Sequence, residues 1–69
     1  MRIGEDVYFQ KRHGDSKEIA RISGISYATI CLAFQYRKCS LKTYREIVSY
    51  FKFRDMEERL KSYWQKNNY

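Results

Sequence analysis

Apolar residues along this chain recur at helical rather than strand spacing, and the clearest run lies past the middle. Leu41, Tyr44, Ile47, Val48 and Phe51 return every three or four positions, which places them on one face of an amphipathic helix. Ser40 stands directly before it as an N-cap, its hydroxyl able to take an amide that a helix start leaves unpaired. An earlier segment begins at Asp15, followed three residues later by Glu18 in the spacing of a capping box. Ile19, Ala20 and Ile22 supply its inward face, and Gly24 closes it. Ser26 then caps a helix through about Phe34, with Ile30, Ala33 and Phe34 turned inward. A loop is predicted from Gln35 to Cys39.

Toward the N-terminus, Ile3, Val7 and Tyr8 fit one helical face between Arg2 and His13, yet Val7-Tyr8-Phe9 reads equally as a short strand. Gly14 ends that segment as a residue free to take a positive φ. Toward the C-terminus, Asp55 with Glu58 has the form of a second capping box. It predicts a last helix through about Lys66, with Met56, Leu60, Tyr63 and Trp64 along one stripe. Asn67 to Tyr69 are expected to fray. Proline is absent and glycine occurs only three times, so helices joined by short turns are the economical reading. The expectation is an all-α fold: one compact four- to five-helix domain over residues 1–69 with a central helix-turn-helix at 16–35. A supporting helix at 41–53 and a C-terminal helix at 55–66 complete it.

Composition narrows the function classes. A chain of 69 residues buries only about 60% of the surface its unfolded form exposes, so a deep catalytic pocket would compete with the core for apolar side chains. Hydrophobic content of 43%, with 17% aromatic residues, still suffices for a packed interior. The net charge of +6 favours an anionic partner. It is unevenly placed: from Gln35 to Arg45 the chain carries Arg37, Lys38, Lys42 and Arg45 and no acid. The single histidine, with Cys31 and Cys39 eight positions apart, leaves no zinc-binding set, and no cofactor or small-molecule ligand is expected. No apolar run approaches the roughly 20 residues that span a bilayer, nor the length of a secretory signal. A soluble protein of a reducing compartment is expected, with both cysteines as thiols. His13 near Asp15 and Ser16 evokes a triad, but one turn cannot converge three such groups on a substrate, and no enzyme activity is expected.

The segment Ser16 to Gln35, SKEIARISGISYATICLAFQ, has the physics of two short helices crossing around a tight turn. Ala20 is small where the helices approach, Gly24 sits where the turn requires a left-handed backbone, and Ile25 plugs the turn into the core. Ile30 and Ala33 are the inward positions of the second helix. This pattern resembles the helix-turn-helix DNA-binding domain of bacterial and phage repressors, the lac repressor headpiece and Cro types in particular. Gly24 to Ile30 is similar to the lac-type turn and recognition helix, and Ser40 to Glu46 to the start of that family's third helix. The likeness covers roughly Asp15 to Phe51.

The resemblance implies a sequence-specific regulator of transcription, a small repressor that lays residues 27–34 in the major groove of double-stranded DNA. It also implies a cytoplasmic, nucleoid-associated location in a bacterial cell or phage-infected host. Base edges would face Ser26, Tyr27, Ala28, Cys31, Leu32 and Gln35. Tyr27 offers a hydroxyl and a ring, Ala28 only an apolar contact such as a thymine methyl, and Gln35 the bidentate chemistry that suits adenine. Relatives of the lac type commonly carry long polar or basic side chains where this chain has Ala28, Cys31 and Leu32. Methyl contacts and groove shape are therefore expected to outweigh a hydrogen-bond code. Phosphates would be met by Ser16 and Lys17 at a helix start, by Thr29, and by Tyr36, Arg37, Lys38, Lys42 and Arg45. The alternative is a protein-interaction module that uses the apolar face around Leu32. Met56, Leu60, Tyr63 and Trp64 exceed what a small core needs and are expected to serve in part as a homodimer contact.

Overall fold

In a computed structural model of the chain, the backbone is described for residues 1–67 and the side chains for residues 1–65. Among the described residues four helices follow one another: α1 (Glu5–Tyr8), α2 (Asp15–Ser23), α3 (Tyr27–Tyr36) and α4 (Leu41–Asn67). The fold is all-α. Of the fraying expected over Asn67 to Tyr69, Asn68 and Tyr69 lie outside the described residues, and Asn67 is helical.

The ambiguous first segment resolves into a single helical turn behind an extended start. Met1 to Ile3 runs antiparallel to Arg37–Cys39 through one bridge, Arg2 opposite Lys38. The Ile3 amide donates to the Arg37 carbonyl at 2.8 Å and the Cys39 amide to that of Met1 at 2.9 Å. Ile3 and Val7 are buried, so the segment lays two apolar side chains across the end of the core while clamping the turn between α3 and α4.

Gly14 takes φ +88° and is itself the N-cap of α2, which corrects the capping box read at Asp15 and Glu18. Asp15 lies inside the first turn, and Glu18 donates its amide to the Gly14 carbonyl at 3.2 Å. The Asp15 carboxylate instead accepts from the Arg12 amide at 2.8 Å, from the Tyr50 hydroxyl at 3.0 Å and from the Arg54 guanidinium. A left-handed glycine reverses the chain without a capping side chain, and the half-buried Arg54 charge draws the carboxylate inward. Ile22, read as inward, is 60% exposed. Ile19 and Ala20 make the contact with the core, and the last turn of α2 reaches past it.

Ser26 and Ser40 cap as their positions predict, each accepting at 3.2 Å from the amide three residues on, Thr29 and Thr43. The loop expected from Gln35 begins later. Gln35 and Tyr36 continue α3, which stops at Arg37 with φ +55°. Nothing at Gln35 or Tyr36 breaks a helix. The stop is imposed by the Ile3 bond on the Arg37 carbonyl and by the Arg37 guanidinium lying 4.2 Å from the centre of the Tyr8 ring.

The separate last helix is also corrected, since α4 runs unbroken through Asp55. Asp55 pairs along the helix with Arg59 at 3.2 Å, and Glu58 pairs with Arg12 at 2.5 Å, so neither side chain caps anything. From Ser40 onward there is no glycine or proline to interrupt the hydrogen-bond ladder.

Ile3, Val7, Ile19, Ile30, Ala33, Phe34, Ile47 and Phe51 form the core, with Tyr8, Ala20, Ile25, Tyr44, Val48 and Tyr50 packed around it. Each fully buried isoleucine contributes about 1.5–3 kcal/mol by leaving water. The core ends at Phe51, and from Asp55 to Gln65 every side chain of α4 is exposed. The described molecule accordingly extends 45 Å along its longest axis against 23 and 20 Å across. None of the described helices is long and apolar enough to cross a membrane.

Candidate nucleic-acid interface

The turn between α2 and α3 fixes which face of α3 reaches solvent. Gly24 adopts φ +76°, and its amide donates to the Ala20 carbonyl at 3.0 Å. The Ile25 amide donates to the Ser23 hydroxyl at 3.1 Å, and the Ile25 side chain packs half-buried on the core. With Ile30, Ala33 and Phe34 buried, the opposite side of α3 shows Tyr27, Ala28, Leu32 and Gln35 to solvent, with Cys31 half-buried beside them. Tyr27 is 51% exposed and Leu32 50%, so the row is open along the helix. The expected base-contact residues share this face, with one qualification at its start. The Ser26 and Thr29 hydroxyls lie 2.7 Å apart and are engaged in the cap. Tyr27 and Cys31 meet one turn apart, and the hydrogen bond with the thiol is the chief reason the phenol's pKa is raised.

Beside this row lies a cleft of about 450 Å³ between α3 and the start of α2. Tyr27, Cys31 and Gln35 form one wall, and Ser16 and Lys17 stand opposite. Five residues singled out from the sequence are thus brought together. Among the described residues, the amides of Ser16 and Lys17 make no backbone hydrogen bond, as first-turn amides with no helical carbonyl four residues before them. They sit at the positive end of a nine-residue helix. Lys11 and His13 also line the cleft, with Tyr8 at its edge. The sequence pointed to neither as a DNA contact, and His13 entered only as a member of a triad. The signal available was the basic run Lys11-Arg12-His13 directly before the glycine that caps α2. Lys11 rests its ammonium 5.6 Å from the centre of the Phe34 ring, which orients the chain toward the cleft.

No protein family, curated protein or solved structure matches the chain.

The distribution of ion pairs divides the cations into two sets. Arg12, Arg21, Arg54 and Arg59 are paired with Glu58, Glu18, Asp15 and Asp55. Lys11, Lys17, Arg37, Lys38, Lys42 and Arg45 make no salt bridge among the described residues, and neither do Arg2, Lys52 and Lys61. Every lysine or arginine proposed from the sequence as a phosphate contact falls in the second set. They are not all gathered at one place. Lys38, Lys42 and Arg45 are exposed but lie outside the cleft, as do Ala28, Thr29, Leu32 and Tyr36. Arg37 is half-buried and stacked on Tyr8, so its guanidinium is held at the turn.

Proposed function

We propose that this chain binds double-stranded DNA as a small regulator of transcription, a repressor, by inserting α3 into the major groove. The observation that carries the reading is the pairing of an open row on α3 with an unneutralised basic cleft at its side. Tyr27, Ala28, Leu32 and Gln35 face outward with Cys31 half-buried beside them, while Lys11 and Lys17 line the adjoining cleft at the start of α2. A groove-bound helix needs both: side chains toward base edges, and cations with amides toward the flanking phosphates. Repression would follow from occupying an operator and excluding polymerase. Lys38, Lys42 and Arg45 would extend the phosphate contacts along the backbone.

α3 itself carries no charged residue, an observation that favours a second reading, in which Leu32 and its neighbours seat a protein partner. One experiment separates the two. Oligonucleotides selected by the purified chain from a random pool, followed by fluorescence anisotropy, give an affinity and its sequence preference. On the DNA reading a preferred sequence emerges, and Tyr27→Ala weakens it by about 1–3 kcal/mol relative to random duplex. Absence of any duplex binding at low salt would remove the reading.

A further inference from the structure

The continuity of α4 has a consequence for the apolar residues beyond the core. Phe53, Met56, Leu60 and Tyr63 fall at alternating three- and four-residue intervals on one unbroken helix, the a and d positions of a heptad repeat. With Trp64 beside them, all five are between 61% and 68% exposed. The body of the molecule lies on other sides of this helix. Arg12 reaches Glu58, at the outermost heptad position, and Arg54 donates to the Gln10 carbonyl at 2.6 Å. From Phe53 to Leu60 the body of the molecule therefore leaves the seam open. At its upper end an apolar groove of about 360 Å³ between Ile22 and Phe53 carries it to the last turn of α2.

We infer that this seam pairs with the same seam of a second copy, as a short parallel two-stranded coiled coil. The flanking charges choose both the occupant and its direction. In the heptad frame Lys52 and Arg59 occupy g, and Glu57 and Trp64 occupy e. In a parallel pair each g residue faces the e residue five positions on in the other copy. Lys52 then meets Glu57 of the second copy, opposite in sign, and Arg59 meets the Trp64 ring, a cation over an aromatic face. In an antiparallel pair the g edges face one another, and Lys52 and Arg59 would meet like charges. The arrangement is thus self-complementary in one direction only. Five large apolar side chains per copy cover on the order of 500 Å² on each side, or about 1,000 Å² in all, near the lower limit of a specific interface. An interface of that size fits a reversible dimer rather than an obligate one. The inference stands independently of what α3 binds, and its test uses the protein alone.

Sedimentation of the full chain from about 5 to 500 µM reads the equilibrium directly. The expected result is a mass rising from 8.5 kDa to twice that value, with a blue shift in the emission of Trp64, the chain's single tryptophan. Leu60→Asp, at an exposed position outside the core, holds the chain monomeric throughout while its helical circular dichroism in the body persists. Lys52→Glu weakens the dimer by about five- to tenfold, and the double exchange Lys52→Glu with Glu57→Lys restores it. A chain that stays monomeric over the whole range overturns the inference, as does a dimer that survives Leu60→Asp. Tightening by Lys52→Glu overturns the parallel direction, because it signals g edges facing one another.

Discussion

Asp15 shows how much one residue holds together in a chain of this size. Burial acts to raise its pKa, but hydrogen bonds from the Arg12 amide, Arg54 and Tyr50 outweigh that effect and leave it below the ordinary carboxylate value. The Asp15 and Arg54 side chains are only 9% and 18% exposed, so the pair joins the start of α2 to α4 with little screening by water. A carboxylate with a depressed folded pKa contributes stability that is present above its unfolded pKa, about 3.9, and is lost as pH falls through the folded value. Asp15→Asn removes the charge and leaves Arg54 unpaired. The expected outcome is a loss of about 2–3 kcal/mol at pH 7 in urea unfolding, with the two proteins converging below about pH 4. A constant difference down to pH 2 would mean that the charge itself is not what Arg54 and Tyr50 hold.

At the scale of elements, the orientation of α3 depends on a three-residue turn whose chemistry is simple. Gly24 needs φ +76°, and a β-carbon placed there would meet no atom within 4 Å. Gly24→Ala therefore carries a purely conformational cost of about 1–2 kcal/mol, seen as a lower denaturation midpoint at unchanged slope, and Gly24→Asn costs less. A substitution that proved neutral would mean that the turn relaxes and α3 is not firmly oriented. This turn was legible in the sequence because it is local: a glycine, a serine cap and a buried isoleucine each act within a few residues. The caps at Ser26 and Ser40 and the seam of the core along Ile30, Ala33, Ile47 and Phe51 were legible for the same reason. The missed features were long-range. Asp15 has the local spacing of a capping box, but Arg54 and Tyr50, 39 and 35 positions away, hold its carboxylate. Asp55 and Glu58 look like a helix start, but the signal is indifferent to a helix already running through it. The end of α3 was misplaced by two residues because the stop is supplied by Ile3 and Tyr8, from the other end of the chain. Lys11 and His13 escaped the candidate site because only the fold brings them beside Tyr27 and Gln35.

For the whole molecule, what matters is less the net charge of +6 than which cations the acids leave free. Four of the acids pair with arginines in the body and along α4, which leaves Lys11, Lys17, Lys38, Lys42 and Arg45 among the exposed cations without a salt bridge that a ligand can meet. If the chain binds duplex DNA through about four phosphates per copy, the slope of log affinity against log salt is about −4 for one copy and about −7 for two. Raising salt from about 50 to 200 mM then costs a dimer roughly four decades of affinity, whatever the sequence of the duplex. Lys11→Ala and Lys17→Ala are each expected to flatten that slope by about one unit per bound copy, on specific and random duplex alike. Lys61→Ala, on α4 outside the cleft, is the control that leaves it unchanged. Anisotropy titrations at four or five salt concentrations measure all of these slopes. A slope near zero would mean that binding, if any, is carried by the apolar row of α3 without the cleft, and that the free lysines only keep the protein in solution. Slopes that fall with Lys11 and Lys17 but not with Lys61 would instead tie the electrostatics to the one cleft that flanks α3. Only that geometry makes a charge-free α3 intelligible as a reader of DNA, because the cations it lacks are then supplied from α2 and the segment before it.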